Sequence, residues 1–298
     1  MRTRRRSDYL GWKCVADEAR ELASRADDEE TGKVVRRPGR ILVMPLHARS
    51  GEPMTPEVAG LRRLRATARE ALAFARQATL LHLDTREVCP TEATVGADVV
   101  VLVHGLFATA GVLRPLRGHL ERATGASTAS FSYAPGPGVE TVAARLARLV
   151  ERLPTGVRVH LVGHSLGGLV ARWFVQELGG DPRVVETVSL ASPFAGTRHA
   201  RLLPAGAVRD IVPESRVLRR LAEKARAPAG VPHLSIVAGE DSVVTEHAAL
   251  GGGDEVVIEG AGHNGLLYDP RVAALVASWI ARHRAPPDAA VPRRTGPT

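Results

Sequence analysis

The chain has 298 residues, of which 44% are hydrophobic and 24% are charged, so its composition is that of a folded globular protein and excludes disorder throughout. No apolar run approaches the roughly 20 residues that a membrane-spanning helix needs. The net charge of +8 is spread along the chain and only 4% of the residues are aromatic, so we expect no nucleic-acid partner.

The cysteine content and the amino terminus bear on location. Two cysteines, Cys14 and Cys89, are too few for a disulfide framework, and no Cys/His cluster has the spacing of zinc ligands. Residues 1–6 are basic, but the segment that follows is polar and charged, whereas a signal peptide would continue with an apolar stretch. The sequence therefore predicts a cytoplasmic protein.

Residues 1–96 are predicted to form a charged arm followed by a helical extension. Residues 41–46 have the character of a short strand, and Thr55 and Pro56 are typical of a helix start. The helix continues to about Leu81, with apolar residues recurring every three or four positions and arginines between them. The apolar positions are Leu61, Leu64, Ala68, Leu72 and Ala75. We expect this face to pack on the main domain; the alternative is contact with a membrane surface or a partner.

From residue 97 onward, short apolar runs alternate with helical patterns, which predicts a mostly parallel sheet flanked by helices. The predicted strands are 99–103, 128–133, 157–162, 184–191, 233–238 and 255–258, and the helical patterns between and after them are 139–153, 166–178 and 269–282. We assign 97–284 to one domain. Within it, residues 194–232 interrupt the alternation, and their apolar side chains fit either a substrate pocket or an ordinary core. Residues 285–298 are predicted to be a disordered tail.

The sharpest motif is Gly-x-Ser-x-Gly, centred on Ser165, between a predicted strand and a predicted helix. Glycines two residues before and after the serine allow a strained turn that exposes its hydroxyl group. The helix directs its N-terminus at the same place, so the amide of Leu166 can donate to a developing oxyanion. Ser165 is therefore a candidate nucleophile.

A serine nucleophile needs a histidine base, and the histidine needs a carboxylate partner. His263 lies in a glycine-rich loop before the last helix, whereas we expect His164 to be a packing residue. Glu240 and Asp241 both follow a predicted parallel strand, and both remain candidates for the acid.

A second oxyanion donor is expected from the loop after the first strand of this domain. Gly105 allows a tight turn there, and the amide of Leu106 or Phe107 can face the nucleophile. His104, at the end of the strand, is predicted to be a structural hydrogen-bonding residue rather than a catalyst.

These segments together resemble the α/β-hydrolase fold, and within it the bacterial triacylglycerol lipase and esterase group. The resemblance rests on the strand and turn at 101–107, the turn at 163–168 and the loops around Asp241 and His263. Residues 190–197 and 210–215 are similar to two further segments of that family. The similarity extends over about residues 99–283 and implies that the interruption at 194–232 is a small cap or lid.

The resemblance also implies individual roles. It makes Ser165 the nucleophile, His263 the base and Asp241, rather than Glu240, the acid. The oxyanion amides it implies are those of Leu106 and Leu166.

The activity expected from these residues is hydrolysis of carboxylic esters, of lipids or other acyl compounds, through an acyl-serine intermediate without a metal or organic cofactor. An acyltransferase or thioesterase would use the same acyl-enzyme, and a binding module could keep the fold without the chemistry. The expected partner is a small-molecule or lipid ester, with peripheral membrane contact through the basic N-terminal region.

Overall fold

The structure is a computed structural model that describes residues 33–37, 40–44, 56–202, 206–225, 230–246 and 248–284. The predicted tail, most of the predicted charged arm and the helix start at Thr55 lie outside the described residues. Among the helices that are described, none is both long enough and apolar enough to cross a bilayer.

A sheet of eight described strands forms the centre of the molecule, in the spatial order β1-β2-β8-β7-β6-β5-β3-β4. Strand β1 is antiparallel to β2, and every other neighbouring pair is parallel. The strands are β1 (Lys33–Arg37), β2 (Arg40–Met44), β3 (Asp98–Val103), β4 (Ser127–Ser130), β5 (Arg158–His164), β6 (Val184–Leu190), β7 (His233–Ala238) and β8 (Asp254–Ile258). The predicted α/β architecture and mostly parallel sheet are therefore confirmed.

The first two strands extend this sheet from within the predicted N-terminal extension. Strand β2 confirms the short strand predicted at 41–46, and Ile41 pairs with Val256 of β8. Strand β1 was not predicted, since it lies in the segment expected to be a charged arm. Three of its five residues are basic, so the sequence does not show the apolar pattern of a strand. Strands β1 and β2 are thus continuous with the rest of the sheet.

Six described helices surround the sheet: α1 (Pro56–Leu80), α2 (Arg114–Thr124), α3 (Val139–Glu151), α4 (Leu166–Glu177), α5 (Arg216–Ala225) and α6 (Pro270–Arg282). Strand β3 shows how the core divides, because successive side chains point to opposite faces. Val99, Val101 and Val103 pack in one core with α3, α4 and α5. Val100 and Leu102 pack in the other core with α2 and α6. Covering both faces is what allows a continuous apolar strand in the middle of a parallel sheet.

Helix α2 has no counterpart among the predicted helices. Only two of its side chains, Leu116 and Leu120, are buried apolar residues, so its periodic pattern is weak. Pro115 lies in its first turn, and Gly125 ends it with a positive φ of 68°.

Helix α1 is confirmed, but the prediction of its buried face is wrong. Leu64 and Leu72 are 67% and 71% exposed, whereas Ala66 and Ala73 are 7% and 5% exposed. The face that contacts the domain carries small and polar residues, Glu70 among them. Small residues let a helix lie close to its neighbours, and apolar periodicity alone does not tell which face will be covered. The side chain of Leu61 lies outside the description.

The predicted cap segment, 194–232, begins with two 3-10 turns, Arg198–Leu202 and Gly206–Ile211, and continues into α5. Val217, Leu218 and Leu221 of α5 are buried in the same core as α3 and α4, so this part of the segment belongs to the domain core. Asp210 accepts a hydrogen bond from the Val139 amide at 2.7 Å and thereby caps α3.

A buried charge network lies toward the amino ends of the strands. His160 contacts Glu186 through Nδ1 at 2.9 Å and Asp98 through Nε2 at 3.0 Å, and His283 also contacts Glu186. Burial disfavours the imidazolium form, but hydrogen bonds to Asp98 and Glu186 raise the pKa of His160 above 6.5. Likewise, burial lowers the pKa of His283 but the contact with Glu186 outweighs it and raises that pKa. The network therefore favours two charged histidines in the folded state.

We predict that Glu186→Gln lowers the free energy of unfolding by about 3 kcal/mol, because it removes the carboxylate that His283 contacts and one of the two carboxylates that hold His160. A folded-state pKa above 6.5 means that the stabilisation is complete below that pH and is lost as pH rises through the folded value. The destabilisation should therefore be larger at about pH 6 than at about pH 9 in urea unfolding.

The control is Glu151→Gln on the exposed end of α3, which should change stability by less than about 0.5 kcal/mol at either pH. Equal destabilisation by Glu186→Gln at both pH values would contradict the assignment of charged histidines.

Candidate functional site

The turn from β5 into α4 places Ser165 in a strained backbone conformation, with φ 52° and ψ −120°. Two glycines make this turn possible through close backbone approach. A Cβ on Gly163 would lie 2.3 Å from the carbonyl carbon of Gly167, and a Cβ on Gly167 would lie 2.1 Å from the carbonyl oxygen of Val103. The strain predicted for the Gly-x-Ser-x-Gly motif is present, and strain of this kind is typical of functional positions.

His263 and Asp241 meet at the carboxyl ends of β8 and β7. The distance from His263 Nδ1 to Asp241 Oδ2 is 2.8 Å, and the two side chains are only 6% and 5% exposed. The other carboxylate oxygen, Oδ1, accepts hydrogen bonds from the amides of Val243 and Val244 at 2.8 and 2.7 Å. These two bonds hold the carboxylate in place, so that Oδ2 faces the imidazole.

Glu240, the other candidate acid, is directed elsewhere. Its Oε2 accepts a hydrogen bond from the Gly260 amide at 2.5 Å, which ties the two loops together. Of the two neighbouring carboxylates, Asp241 is therefore the one that pairs with His263.

His164 connects the turn at Ser165 to the loop that carries His263, called the histidine loop below. Its Nε2 lies 3.1 Å from the carbonyl oxygen of His263, and the two ring centroids are 5.0 Å apart. Because a carbonyl oxygen only accepts, Nε2 of His164 carries the hydrogen. Burial lowers the pKa of His164 to about 3, so the ring is neutral and serves as a buried packing and hydrogen-bonding residue. The residue next to Ser165 in the chain thus contacts the backbone of His263.

The loop after β3 runs directly against Ser165, the candidate nucleophile. A Cβ on Gly105 would lie 3.0 Å from Cβ of Ser165, so the segment that carries Leu106 passes beside the serine. Leu166 is the first residue of α4, and the first amides of a helix have no acceptor within the helix. The structure thus brings both predicted oxyanion segments to Ser165. Phe107 has a positive φ of 57° and a side chain that is 64% exposed.

His104 has the structural role that its position predicted. It donates from Nδ1 to the Gly105 carbonyl oxygen at 2.7 Å, and its Nε2 accepts from the Tyr133 amide at 3.1 Å. Its ring also stacks on Tyr133 with a centroid distance of 4.0 Å. Burial lowers the pKa of His104 to about 4, so the ring stays neutral and fixes the loop before Leu106.

Glu70 on α1 contacts the histidine loop and was missed in the sequence. Its Oε1 accepts from the backbone and side-chain nitrogens of Asn264, both at 2.8 Å, and its Oε2 accepts from the Gly265 amide at 3.0 Å. The partners are 194 and 195 residues apart, and a single acidic residue in an arginine-rich helix carries no motif. No local signal could have identified it.

A threonine near the start of the predicted cap segment supports the loop that carries Asp241. Thr197, which is 3% exposed, donates from Oγ1 to the carbonyl oxygen of Val243 at 2.8 Å. The amide of Val243 in turn donates to Asp241. Within the described part of the chain, no group of three or more His, Cys, Asp or Glu side chains could hold a metal ion.

Part of the chain matches a known protein family. Residues 95–205, which include Ser165 and the loop with Leu106, match the family described as "Putative serine esterase (DUF676)". Asp241 and His263 lie beyond the matched segment.

Solved structures share the fold at low sequence identity. The mature lipase BlEst2 of Bacillus licheniformis is similar with a TM-score of 0.54 and 14% identity, over 67% of this chain and 98% of that one. Lipase B of Aspergillus fumigatus is similar with a TM-score of 0.53 and 20% identity, over 68% of this chain and 57% of that one. Together with the sheet described above, these similarities identify the chain as an α/β-hydrolase-fold protein with a central segment that matches a serine esterase family.

Proposed function

We propose that this protein is a serine hydrolase that cleaves carboxylic esters of lipids or other acyl compounds through an acyl-serine intermediate. The observation that carries the proposal is the strained turn at Ser165 together with the buried pair of His263 and Asp241. The two are connected because His164, the residue before Ser165, forms a hydrogen bond with the backbone of His263. The serine esterase match over residues 95–205 supports ester hydrolysis as the class of reaction.

In the first half of the reaction, Ser165 Oγ attacks the ester carbonyl carbon while His263 Nε2 takes the hydroxyl proton. Asp241 stabilises the resulting imidazolium through the bond at Nδ1. The amides of Leu106 and Leu166 hold the negative oxygen of the tetrahedral intermediate. The intermediate then expels the alcohol, which receives the proton from His263, and the acyl group remains on Ser165.

In the second half, water attacks the acyl-serine with His263 again as the base, and the acid leaves as Ser165 regains its proton. The protein's part is to hold the groups in place before the reaction begins. The hydrogen bonds from the amides of Val243 and Val244 to Asp241 Oδ1 serve this purpose, because they prevent the carboxylate from turning away from the imidazole.

The first test is hydrolysis of p-nitrophenyl esters from acetate to palmitate. We expect Ser165→Ala to reduce kcat by at least about 1,000-fold, because the nucleophile is lost while ester binding remains. A fluorophosphonate should label the wild-type protein at Ser165 and leave Ser165→Ala unlabelled. Adding an alcohol, amine or thiol acceptor and identifying the products would distinguish acyl transfer from hydrolysis.

The control is Ser127→Ala at the exposed start of β4, which should retain wild-type turnover. Undiminished hydrolysis by Ser165→Ala would overturn the proposed function, and a wild-type protein that neither hydrolyses esters nor reacts with the fluorophosphonate would favour a binding role.

The assignment of Asp241 as the acid can be tested separately, because Asp241 contacts His263 whereas the adjacent Glu240 contacts the Gly260 amide. Asp241→Asn should reduce kcat by about 1,000- to 10,000-fold, because the amide no longer stabilises the imidazolium. Glu240→Gln keeps an oxygen for the Gly260 amide and should lose less than about tenfold. Parallel kcat and KM measurements on both variants decide the question, and the reverse order of losses would reassign the acid to Glu240.

We also propose that helix α1 gives the protein peripheral contact with an anionic lipid surface. Leu64, Leu72 and Phe74 are all more than 60% exposed, although a soluble helix would normally cover such residues. Two exposed arginines, Arg65 and Arg69, lie along the boundary of this apolar face, as in helices that rest on anionic membranes. The basic residues 1–6, on which the sequence-based expectation also depended, lie outside the description.

Sedimentation with vesicles tests this contact. The double variant Leu72→Glu/Phe74→Glu should bind phosphatidylglycerol-containing vesicles at least about tenfold more weakly than the wild type, because two charges enter the apolar face. Turnover of a soluble short-chain ester should not change. Leu178→Glu, at another exposed apolar position, is the matched control. Equal vesicle binding by the double variant and the wild type would contradict the proposal.

A further inference from the structure

The backbone of the histidine loop is held from two sides. On one side, the His263 carbonyl oxygen accepts a hydrogen bond from His164 at 3.1 Å. On the other side, Glu70 accepts three hydrogen bonds from the next two residues, Asn264 and Gly265, at 2.8 to 3.0 Å. The backbone of His263 therefore lies between two anchored points, while Asp241 holds its ring.

The fit between Glu70 and the loop is close. A Cβ on Gly262 would lie 2.3 Å from Glu70 Oε2, and a Cβ on Gly265 would lie 3.5 Å from the same oxygen. The carboxylate thus occupies space beside Gly262 that a larger residue would fill. Every group that Glu70 contacts here is a nitrogen donor, so an ionised carboxylate, which only accepts, suits the position.

The helix that carries Glu70 is not part of the segment that matches the esterase family. Helix α1 spans Pro56–Leu80, whereas the match begins at residue 95. The buried residues Ala66 and Ala73 on the inner face of α1 have small side chains without polar groups. Glu70, in contrast, forms hydrogen bonds with the histidine loop.

We propose that Glu70 is a positioning residue for the base His263, and that α1 is thereby a working part of the active site; this inference rests on the proposed hydrolase function. A base in a glycine-rich loop has many accessible backbone conformations, and proton transfer requires one of them. Glu70 restricts the loop by binding the two amides that directly follow the base. It acts through the backbone of His263 and does not touch the reacting atoms.

Kinetics of Glu70 variants on a soluble p-nitrophenyl ester provide the test. Glu70→Ala removes all three acceptor contacts and should lower kcat by roughly 10- to 100-fold, with KM changed by less than about threefold, because misplacement of the base affects the chemical step. Glu70→Gln keeps one oxygen for Asn264 but turns an NH₂ group toward the Gly265 amide, so its kcat should be intermediate.

The matched control is Leu80→Ala, at the end of the same helix, where the hydrocarbon side chain packs against the core and offers no hydrogen-bond acceptor to the amides of Asn264 and Gly265. It loosens α1 and should lower the thermal unfolding temperature at least as much as Glu70→Ala does, but it should leave kcat within about twofold. If Leu80→Ala and Glu70→Ala lost the same stability and also the same kcat, the role of Glu70 would be structural only and the inference would fail.

Coupling to Asn264 gives an independent readout. Asn264→Ala alone should lower kcat modestly, but in the Glu70→Ala background it should have almost no further effect, because the shared contact is already gone. Additive losses in the double variant would show that Glu70 does not act through this residue.

Hydrogen exchange separates failure of this inference from failure of the proposed function. The amides of Asn264 and Gly265 should exchange faster in Glu70→Ala than in Leu80→Ala, whether or not the protein hydrolyses the chosen ester. Unchanged exchange would overturn the inference. Loss of activity in Ser165→Ala together with full kcat in Glu70→Ala would overturn the inference alone and leave the hydrolase function standing.

Discussion

The close approach of helix α4 to the end of strand β3 is the constraint on which the site depends. Gly167 lies so near the carbonyl oxygen of Val103 that no Cβ would fit between them. With the helix this close, the chain has to turn from β5 into α4 within one residue, and Ser165 takes the positive φ. The strain at Ser165 follows from the packing of the helix against the sheet, which also brings the loop with Leu106 to this serine.

Parallel pairing then assembles the remaining groups at one edge of the sheet. Strands β5, β7 and β8 all end there, and the loops that follow them carry Ser165, Asp241 and His263. Hydrogen bonds between side chains and backbone fix these loops: His164 and Glu240 each bond to the backbone of the segment that carries His263, and Asp241 bonds to the backbone of its own loop. The rigid sheet sets their positions, and the polar contacts set their conformations.

The opposite end of the strands has a different chemistry that serves stability. There the carboxylates of Asp98 and Glu186 hold His160 in a fully buried position. The same residue type is thus neutral at His104 and His164 and favoured in its charged form at His160. The difference arises because carboxylates face His160, while backbone groups or another imidazole face the other two.

Much of this protein could be predicted from local patterns. The alternation of strands and helices predicted the parallel sheet, the Gly-x-Ser-x-Gly motif predicted the strained turn at Ser165, and the resemblance favoured Asp241, which the structure pairs with His263. Local patterns did not show that Leu64 and Leu72 of α1 face outward or that Glu70 faces the histidine loop. The sequence by itself determined most of the helices and strands and the turn at Ser165, because backbone sterics and periodicity act over a few residues. Only the tertiary structure decided which face of α1 is covered and which carboxylates meet which loops, because those contacts join residues as far apart as Glu70 and Asn264.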